Sequence, residues 1–193
     1  MNPDDIILQL VTSLWDKPEV ILSENYVAKA TKWAQDVHVD KIRRGDDRAG
    51  DMGTFVRRET TGKYAEMALE QFLSTEFVDW SIGDSRKFNT PDLQPIGLRC
   101  GVKACSIMKG SSNVPLVPIM PSYPEVIVVV RPTQSQVNTY ICGVATREVM
   151  MRHSNMTLIR SSNVRNLGKK TGFYGFDHLI PFTSLTELRS VVG

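Results

Sequence analysis

The sequence predicts an α/β fold in which a mixed central β-sheet is flanked by helices. Apolar residues recur at helical spacing through much of the N-terminal part of the chain. Residues 98–105 instead alternate between apolar and other side chains, which is typical of a strand with two different faces. Residues 125–131 contain an unbroken run of valine and isoleucine, as expected for a central strand buried on both faces. Helix and strand patterns in one chain together favour an α/β architecture.

Length and composition indicate one compact domain with a sizeable core. The chain has 193 residues, of which 41% are hydrophobic and 23% are charged, both ordinary values for a globular protein. We divide it into N-terminal helices with a charged loop (1–58) and a core region (59–193). The net charge of +2 is too small to indicate nucleic-acid binding by itself, so any basic surface must be local.

Cysteine usage and the N-terminus predict a cytoplasmic protein without a membrane partner. The three cysteines lack CxxC spacing, which argues against a disulfide framework and against a zinc site. Asp4 and Asp5 stand where a signal peptide carries positive charge, and no apolar run reaches membrane-spanning length. The three histidines share no metal-ligand spacing, and no glycine-rich phosphate loop is present.

Two helices and a charged loop are expected before the core region. The first helix covers residues 3–15, and Ser23 caps the second, whose apolar side includes Trp33 as an expected core residue. Residues 41–53 combine three glycines with dense mixed charge and are predicted to be a loop. Two interpretations of this loop remain open. It is either a flap that contacts phosphates or a solvated connection, and the flap would use Arg43, Arg44 and Arg48.

The core region is expected to contain further helices and strands. Residues 55–59 lead into a helix over residues 61–73, and residues 77–83 alternate as the first strand of the sheet. The remaining expected elements are a strand at 138–145, a short helix capped by Thr146, an edge strand at 178–182 and a final helix preceded by Ser184.

Residues 89–105 place an acidic residue in a turn and a lysine in the strand that follows. Pro91 removes a backbone donor and fixes φ, which favours a turn or a strand start directly before Asp92. Gly97 and a second proline are turn signals between Asp92 and the strand that carries Lys103. The simplest geometry is a hairpin that brings Asp92 beside Lys103.

This arrangement resembles the PD-(D/E)XK nuclease superfamily, which has the restriction-endonuclease-like fold. The resemblance covers residues 60–190 in layout, whereas only residues 91–103 carry the motif. Asp92 matches the first acid of the motif, and Lys103 matches its lysine. The second acid, two positions before the lysine, is absent because Gly101 stands there.

The resemblance implies a divalent metal, Mg²⁺ or alternatively Mn²⁺, held by Asp92. The carbonyl of Val102 would be a further ligand, and Lys103 would assist the attacking water. Family members commonly carry a glutamate on the helix before the sheet, and Glu66 fits that place, at the margin of the helix's apolar stripe. Asp79 and Asp84 are further replacements for the missing acid, although capping of a turn is the commoner role of such aspartates.

Two groups of basic residues are expected to contact nucleic acid. The first group lies near the start of the predicted helix and consists of Arg57, Arg58 and Lys63. These residues would either form an anion site that faces the metal or be exposed charges without such a role. Residues 160–176 mix basic and aromatic side chains, which suits phosphate contacts beside stacked bases, unless the aromatics fold inward. The residues concerned there are Arg165, Lys169 and Lys170, with Phe173, Tyr174 and Phe176.

The function implied by the resemblance is a metal-dependent DNA endonuclease that hydrolyses phosphodiester bonds. DNA is the expected partner, and a homodimer is one expected assembly. Since Gly101 replaces a motif acid, a second interpretation stays open, in which the chain binds DNA or a protein partner without cleavage. A third interpretation, an unrelated protein with an accidental motif, predicts that Lys103 points into solvent far from Asp92.

Overall fold

The computed structural model describes residues 2–46, 50–83, 90–108, 111–112, 114–134 and 136–193. Within these ranges the chain forms six α-helices, a mixed central sheet and a smaller second sheet, which confirms the expected α/β class. The helices are α1 (Pro3–Ser13), α2 (Glu24–Arg43), α3 (Met52–Leu73), α4 (Arg147–Arg152), α5 (Ser162–Asn166) and α6 (Leu185–Val192). The strands are β1 (Glu19–Leu22), β2 (Gly101–Met108), β3 (Ser111–Ser112), β4 (Leu116–Pro118), β5 (Glu125–Pro132), β6 (Val137–Ala145), β7 (Ser154–Asn155) and β8 (Lys170–Phe173).

The central sheet has the strand order β1-β6-β5-β2, and the short β3 extends it beyond β2. β5 pairs in parallel with β2 on one side and antiparallel with β6 on the other. The predicted central position of the apolar strand is therefore confirmed. The small second sheet contains β4, β8 and β7.

Side chains of β5 alternate between two cores on opposite faces of the sheet. Val126, Val128 and Val130 pack into one core with α3 and α6, whereas Ile127 and Val129 pack into another with α1 and β8. The alternation expected for β2 is also present, since Val102 and Ala104 face the α3 core and Cys105 faces the α1 core. Both faces of β5 are thus covered, as a near-continuous apolar strand requires.

Residues 77–83 do not form the predicted first strand, although they alternate in sequence. The Glu70 carboxylate on α3 accepts hydrogen bonds from the backbone N–H groups of Phe77 and Val78, at 2.6 and 2.8 Å. These donors are satisfied by a side chain, so the segment needs no neighbouring strand for them. The edge of the sheet is instead β1, whose residues pair antiparallel with β6.

We expect Glu70→Ala to lower the free energy of unfolding by about 2 kcal/mol, because two charge-assisted hydrogen bonds to the backbone are lost. Urea unfolding of the wild type and the variant measures this difference. Glu76→Ala is the matched control, since Glu76 is an exposed carboxylate a few residues further along the chain. An equal stability of the two variants would contradict the role of Glu70.

Three further boundaries differ from the sequence-based expectations. α3 begins at Met52, since the Asp51 carboxylate caps it by accepting the N–H of Thr54, and it runs through the expected division at residues 58 and 59. The expected edge strand at 178–182 contributes a single bridge, between Ile180 and Val144. The charged loop is shorter because α2 extends to Arg43.

Two arginines of the charged loop, Arg43 and Arg44, lie at the C-terminal end of α2. Arg43 and Arg44 both form ion pairs with Asp40 on α2, which favours the solvated connection. Arg48 lies outside the described residues. Among the helices that the structure describes, none combines the length and the apolar character needed to cross a membrane.

Candidate functional site

Asp92 lies beside the start of β2, held there by a compact turn. The turn contains a 3₁₀ helix (Gln94–Ile96) and ends at Gly97, which adopts a left-handed conformation with φ of 79°. One carboxylate oxygen of Asp92 accepts the backbone N–H of Val102 at 2.6 Å. The turn therefore brings Asp92 to the strand that carries Lys103, as expected. The connection is a 3₁₀ turn, whereas a two-stranded hairpin was predicted.

Lys103 extends from β2 toward a carboxylate that the sequence analysis did not single out. Its Nζ lies 3.4 Å from Oε1 of Glu125, and 30% of the Lys103 side chain is exposed. Burial alone favours the neutral amine, but the carboxylates of Glu125 and Asp92 outweigh it and raise the pKa of Lys103. Lys103 is therefore a charged residue in the neighbourhood of Asp92, in contrast to the expectation for an accidental motif.

Glu125 occupies the space beside Gly101. The parallel register of β2 and β5 places Gly101 directly opposite Glu125. A Cβ atom built on Gly101 would lie 2.1 Å from Oε2 of Glu125, a separation that real atoms do not tolerate. The carboxylate of Glu125 thus fills the position into which a side chain at residue 101 would project.

The Glu125 carboxylate is almost completely buried, with 1% of the residue exposed. Burial raises the pKa of Glu125 to about 7, against the opposing effect of Lys103, and Asp92 raises it further. Oε2 has no hydrogen-bond partner among the described residues. The sequence signal that could have found this residue is a carboxylate at the first position of a strand expected to be buried on both faces.

Glu66 lies on α3 within electrostatic reach of Asp92 but is already paired. Its Oε2 is 2.6 Å from Nζ of Lys63, one helical turn earlier. Burial raises the pKa of Glu66 to about 7, Lys63 lowers it, and Asp92 and Asp79 raise it. Glu66 therefore stands at the expected place, with its charge compensated by a neighbouring lysine.

Lys63 does not fit the expected phosphate-contacting role. It is buried, bonded to Glu66, and its Nζ lies 4.6 Å from the ring centre of Trp33 and 5.7 Å from that of Trp80. Cation–π contacts of this kind hold the ammonium inside the protein. Trp33 is half-buried and meets Trp80 edge to face, so it contributes to this cluster as a packing residue.

Of the two other aspartates named as replacement acids, Asp79 lies within the described residues and caps a turn. Asp79 accepts the backbone N–H of Ser81 at 2.9 Å, which is the turn-capping role. Asp84 lies outside the described residues.

Lys170 stands near Lys103, and Arg58 stands near Lys170. Lys170, at the start of β8, has its pKa lowered by burial and by the positive charges of Lys103 and Arg58. Lys170 is therefore within electrostatic reach of both Lys103 and Arg58. Arg58 is exposed and bonded to Glu59, and Arg57 is exposed on the same helix. Because α3 begins at Met52, neither arginine lies at a helix N-terminus, so the expected anion site at such a terminus is wrong.

The aromatic residues of the segment 160–176 fold inward. Phe173 and Phe176 are buried and meet edge to face, and Tyr174 is half-buried against the ring of His153. They are therefore not arranged as an exposed platform for bases. Arg165 and Lys169 are both exposed.

The three cysteines are residues of the two cores. Cys100, Cys105 and Cys142 are all buried free thiols. Burial raises the pKa of Cys100 to about 12, so its thiol stays protonated and unreactive at neutral pH.

A divalent ion would find few protein ligands already gathered at this site. Across the described ranges, no group of three or more His, Cys, Asp or Glu side chains is placed to hold a metal ion. Mg²⁺ typically takes one or two carboxylates and completes its six ligands with water and substrate phosphates. The unpartnered oxygen of Glu125, near Asp92, fits a site of this sparse kind.

The chain matches no protein-family model, no curated protein and no solved structure.

Proposed function

We propose that the chain is a Mg²⁺-dependent DNA endonuclease with a restriction-endonuclease-like core. The observation that carries the proposal is that Asp92 lies at the start of β2 with Lys103 and the buried Glu125, while the half-buried Glu66 is within electrostatic reach of Asp92. A carboxylate next to a charged lysine at one end of a sheet suits hydrolysis of a phosphodiester. The order of elements, a helix, a turn and then parallel and antiparallel strands, further supports this fold assignment.

Each residue of the site has a distinct role in the proposed reaction. Asp92, oriented by the Val102 N–H, would bind the ion together with one of the two glutamates, and the Val102 carbonyl is a further ligand. When bound, Mg²⁺ polarises the scissile phosphate and lowers the pKa of a water ligand. Lys103 remains protonated, so it orients the attacking water or stabilises negative charge that develops on the phosphorus oxygens.

The substrate class is supported by the positive charge around this carboxylate group. Lys170 lies within electrostatic reach of both Lys103 and Arg58, and Arg57 is exposed on the same helix as Arg58. Contacts to phosphates fix the position of a nucleic acid without reading its sequence. We therefore assign these three residues to the DNA backbone, together with the exposed Arg165 and Lys169.

The test is incubation of the purified chain with supercoiled plasmid in Mg²⁺, in Mn²⁺ and in excess EDTA. We expect nicked and linear products with either metal and intact supercoiled DNA in EDTA, because the proposed reaction needs the ion. Plasmid that stays supercoiled under all three conditions would contradict the nuclease proposal.

A second function, binding of DNA without cleavage, is favoured by one observation. Both glutamates are already paired with lysines, Glu66 with Lys63 and Glu125 with Lys103, so neither charge depends on a metal for compensation. Gel-shift and calorimetric titrations distinguish the two functions. Retention of DNA with neither cleavage nor Mn²⁺ binding supports the second function.

A further inference from the structure

We infer that Glu125 supplies the second carboxylate of the metal site, from the strand next to the one that carries the lysine. The inference rests on the proposed function and specifies which residues bind the ion. The acid that is absent at Gly101 would then be supplied from β5, and the site would have two carboxylates, from Asp92 and Glu125. The ligand is a hard divalent cation, Mg²⁺ or Mn²⁺, which prefers oxygen donors.

The register of the sheet places Glu125 where the missing acid would act. Gly101 and Glu125 are partners in the parallel pair of β2 and β5, and neighbouring strands lie about 4.8 Å apart. The 2.1 Å separation between a Cβ on Gly101 and Oε2 of Glu125 means that a side chain at residue 101 would displace this carboxylate from its present position. The glycine is therefore a consequence of the carboxylate on β5, because any larger residue would displace it.

The hydrogen bonding of the two glutamates separates their roles. Glu125 is 1% exposed, and its Oε2 has no hydrogen-bond partner within the described part of the chain. A buried carboxylate oxygen without a partner is costly, and a bound cation would remove that cost. Glu66 instead has a 2.6 Å bond to Lys63, which is itself enclosed by two tryptophan rings. Glu125 therefore has a buried oxygen available for an ion, whereas Glu66 is bonded to Lys63 at short distance and its side chain is 19% exposed.

The ion pair between Glu125 and Lys103 indicates where the ion would lie. Oε1 lies 3.4 Å from Nζ of Lys103, so the same carboxylate touches the lysine through one oxygen and leaves the other for the ion. Asp92 is bonded to the N–H of Val102, the residue that stands between Gly101 and Lys103 in the strand. An ion held by Asp92 and Glu125 would thus lie next to Lys103.

The experiment measures Mn²⁺ binding in the absence of DNA, by the electron paramagnetic resonance signal of free Mn²⁺. Glu125→Gln keeps the size of the side chain and removes its charge, and Glu66→Gln makes the same change at the alternative ligand on α3. We expect the Kd for Mn²⁺ to rise at least about tenfold in Glu125→Gln and to change less than about threefold in Glu66→Gln.

A reciprocal exchange tests the relocation itself. Glu125→Ala removes the acid from β5, and Gly101→Asp/Glu125→Ala returns an acid to β2 in the space that has been vacated. We expect the double variant to bind Mn²⁺ at least about fivefold more tightly than Glu125→Ala alone. Circular dichroism and thermal unfolding establish that each variant is folded, and the double variant provides the decisive comparison if Glu125→Gln does not fold.

The outcomes separate this inference from the proposed function. Unchanged Mn²⁺ affinity in Glu125→Gln, with plasmid cleavage intact, overturns the role of Glu125 and leaves the nuclease proposal standing. A folded double variant that binds no better than Glu125→Ala overturns the relocation. A wild-type chain that neither binds Mn²⁺ nor cuts plasmid overturns the proposed function and the inference together.

Discussion

Asp92→Asn is expected to reduce plasmid cleavage about 100- to 1,000-fold while the protein stays folded. The amide oxygen of asparagine can still accept the Val102 N–H, so the substitution removes the negative charge and preserves the hydrogen bond that fixes the turn. The loss should therefore appear in catalysis and in Mn²⁺ affinity. Initial cleavage rates in Mg²⁺, measured beside circular dichroism spectra, check both parts of this prediction.

Asp36→Asn is the control for this substitution. Asp36 is a surface carboxylate on α2 that pairs with Lys32 at 2.9 Å, far along the chain from the candidate site. We expect its cleavage rate to match that of the wild type. Full activity in a folded Asp92→Asn variant would remove Asp92 from the site.

Lys103→Met should lower both cleavage and stability. The cleavage rate is expected to fall about 100- to 1,000-fold, because the group that stabilises developing charge is lost. The substitution also leaves the buried Glu125 carboxylate without its cation. Removing one partner of a buried ion pair costs roughly 3–5 kcal/mol, and the partial exposure of Lys103 reduces this to about 2 kcal/mol.

The stability loss in Lys103→Met should depend on pH. Lys103 lowers the pKa of Glu125, so its removal raises that pKa further above the ordinary value of 4.5. Between pH 4.5 and the pKa of Glu125 in the folded state, the folded chain binds a proton that the unfolded chain does not, so stability falls as the pH rises. This fall ends at about pH 7 in the wild type and continues to a higher pH in Lys103→Met. The difference from the wild type should therefore be small near pH 5 and large near pH 8.

Urea unfolding at pH 5 and pH 8 measures this dependence. Lys32→Met is the control, because Lys32 is exposed and its partner Asp36 is only partly buried. The control should show nearly the same small effect at both pH values. A loss of stability in Lys103→Met that is equal at pH 5 and pH 8 would show that Glu125 does not depend on Lys103.

Helices and strands that depend only on their own local sequence could be predicted. The valine and isoleucine run of β5 needs cover on both faces wherever it lies, so its central position follows from composition alone. The caps of α4 and α6 also follow locally, because the hydroxyls of Thr146 and Ser184 accept backbone N–H groups three residues ahead.

Elements that depend on distant partners were not predictable in the same way. Residues 77–83 alternate as a strand would, but the Glu70 carboxylate takes their backbone donors. β1 has only four residues, too few for a clear periodic signal, and it is fixed by its pairing with β6. The helical start at Met52 was obscured by Gly53 and Gly62, which lower helix propensity in the sequence.

In the candidate site too, residues close in sequence were predictable, whereas those brought in by distant segments were not. Asp92 and Lys103 are close in sequence, and a turn is sufficient to bring them together. Glu125 is more than 20 residues beyond Lys103, and only the register of two parallel strands reveals that it replaces an acid at Gly101. Lys63 has the sequence signature of a surface cation, and its burial depends on tryptophans from two other segments.

The position of a bound Mn²⁺ ion in crystals of the protein tests the central claim most directly. Anomalous scattering locates the ion without reference to activity or to variants. We expect one strong peak within about 2.3 Å of a carboxylate oxygen of Asp92 and of Oε2 of Glu125. A peak that is bound by Glu66 without Glu125, or the absence of a peak near Asp92 at saturating Mn²⁺, would contradict the account.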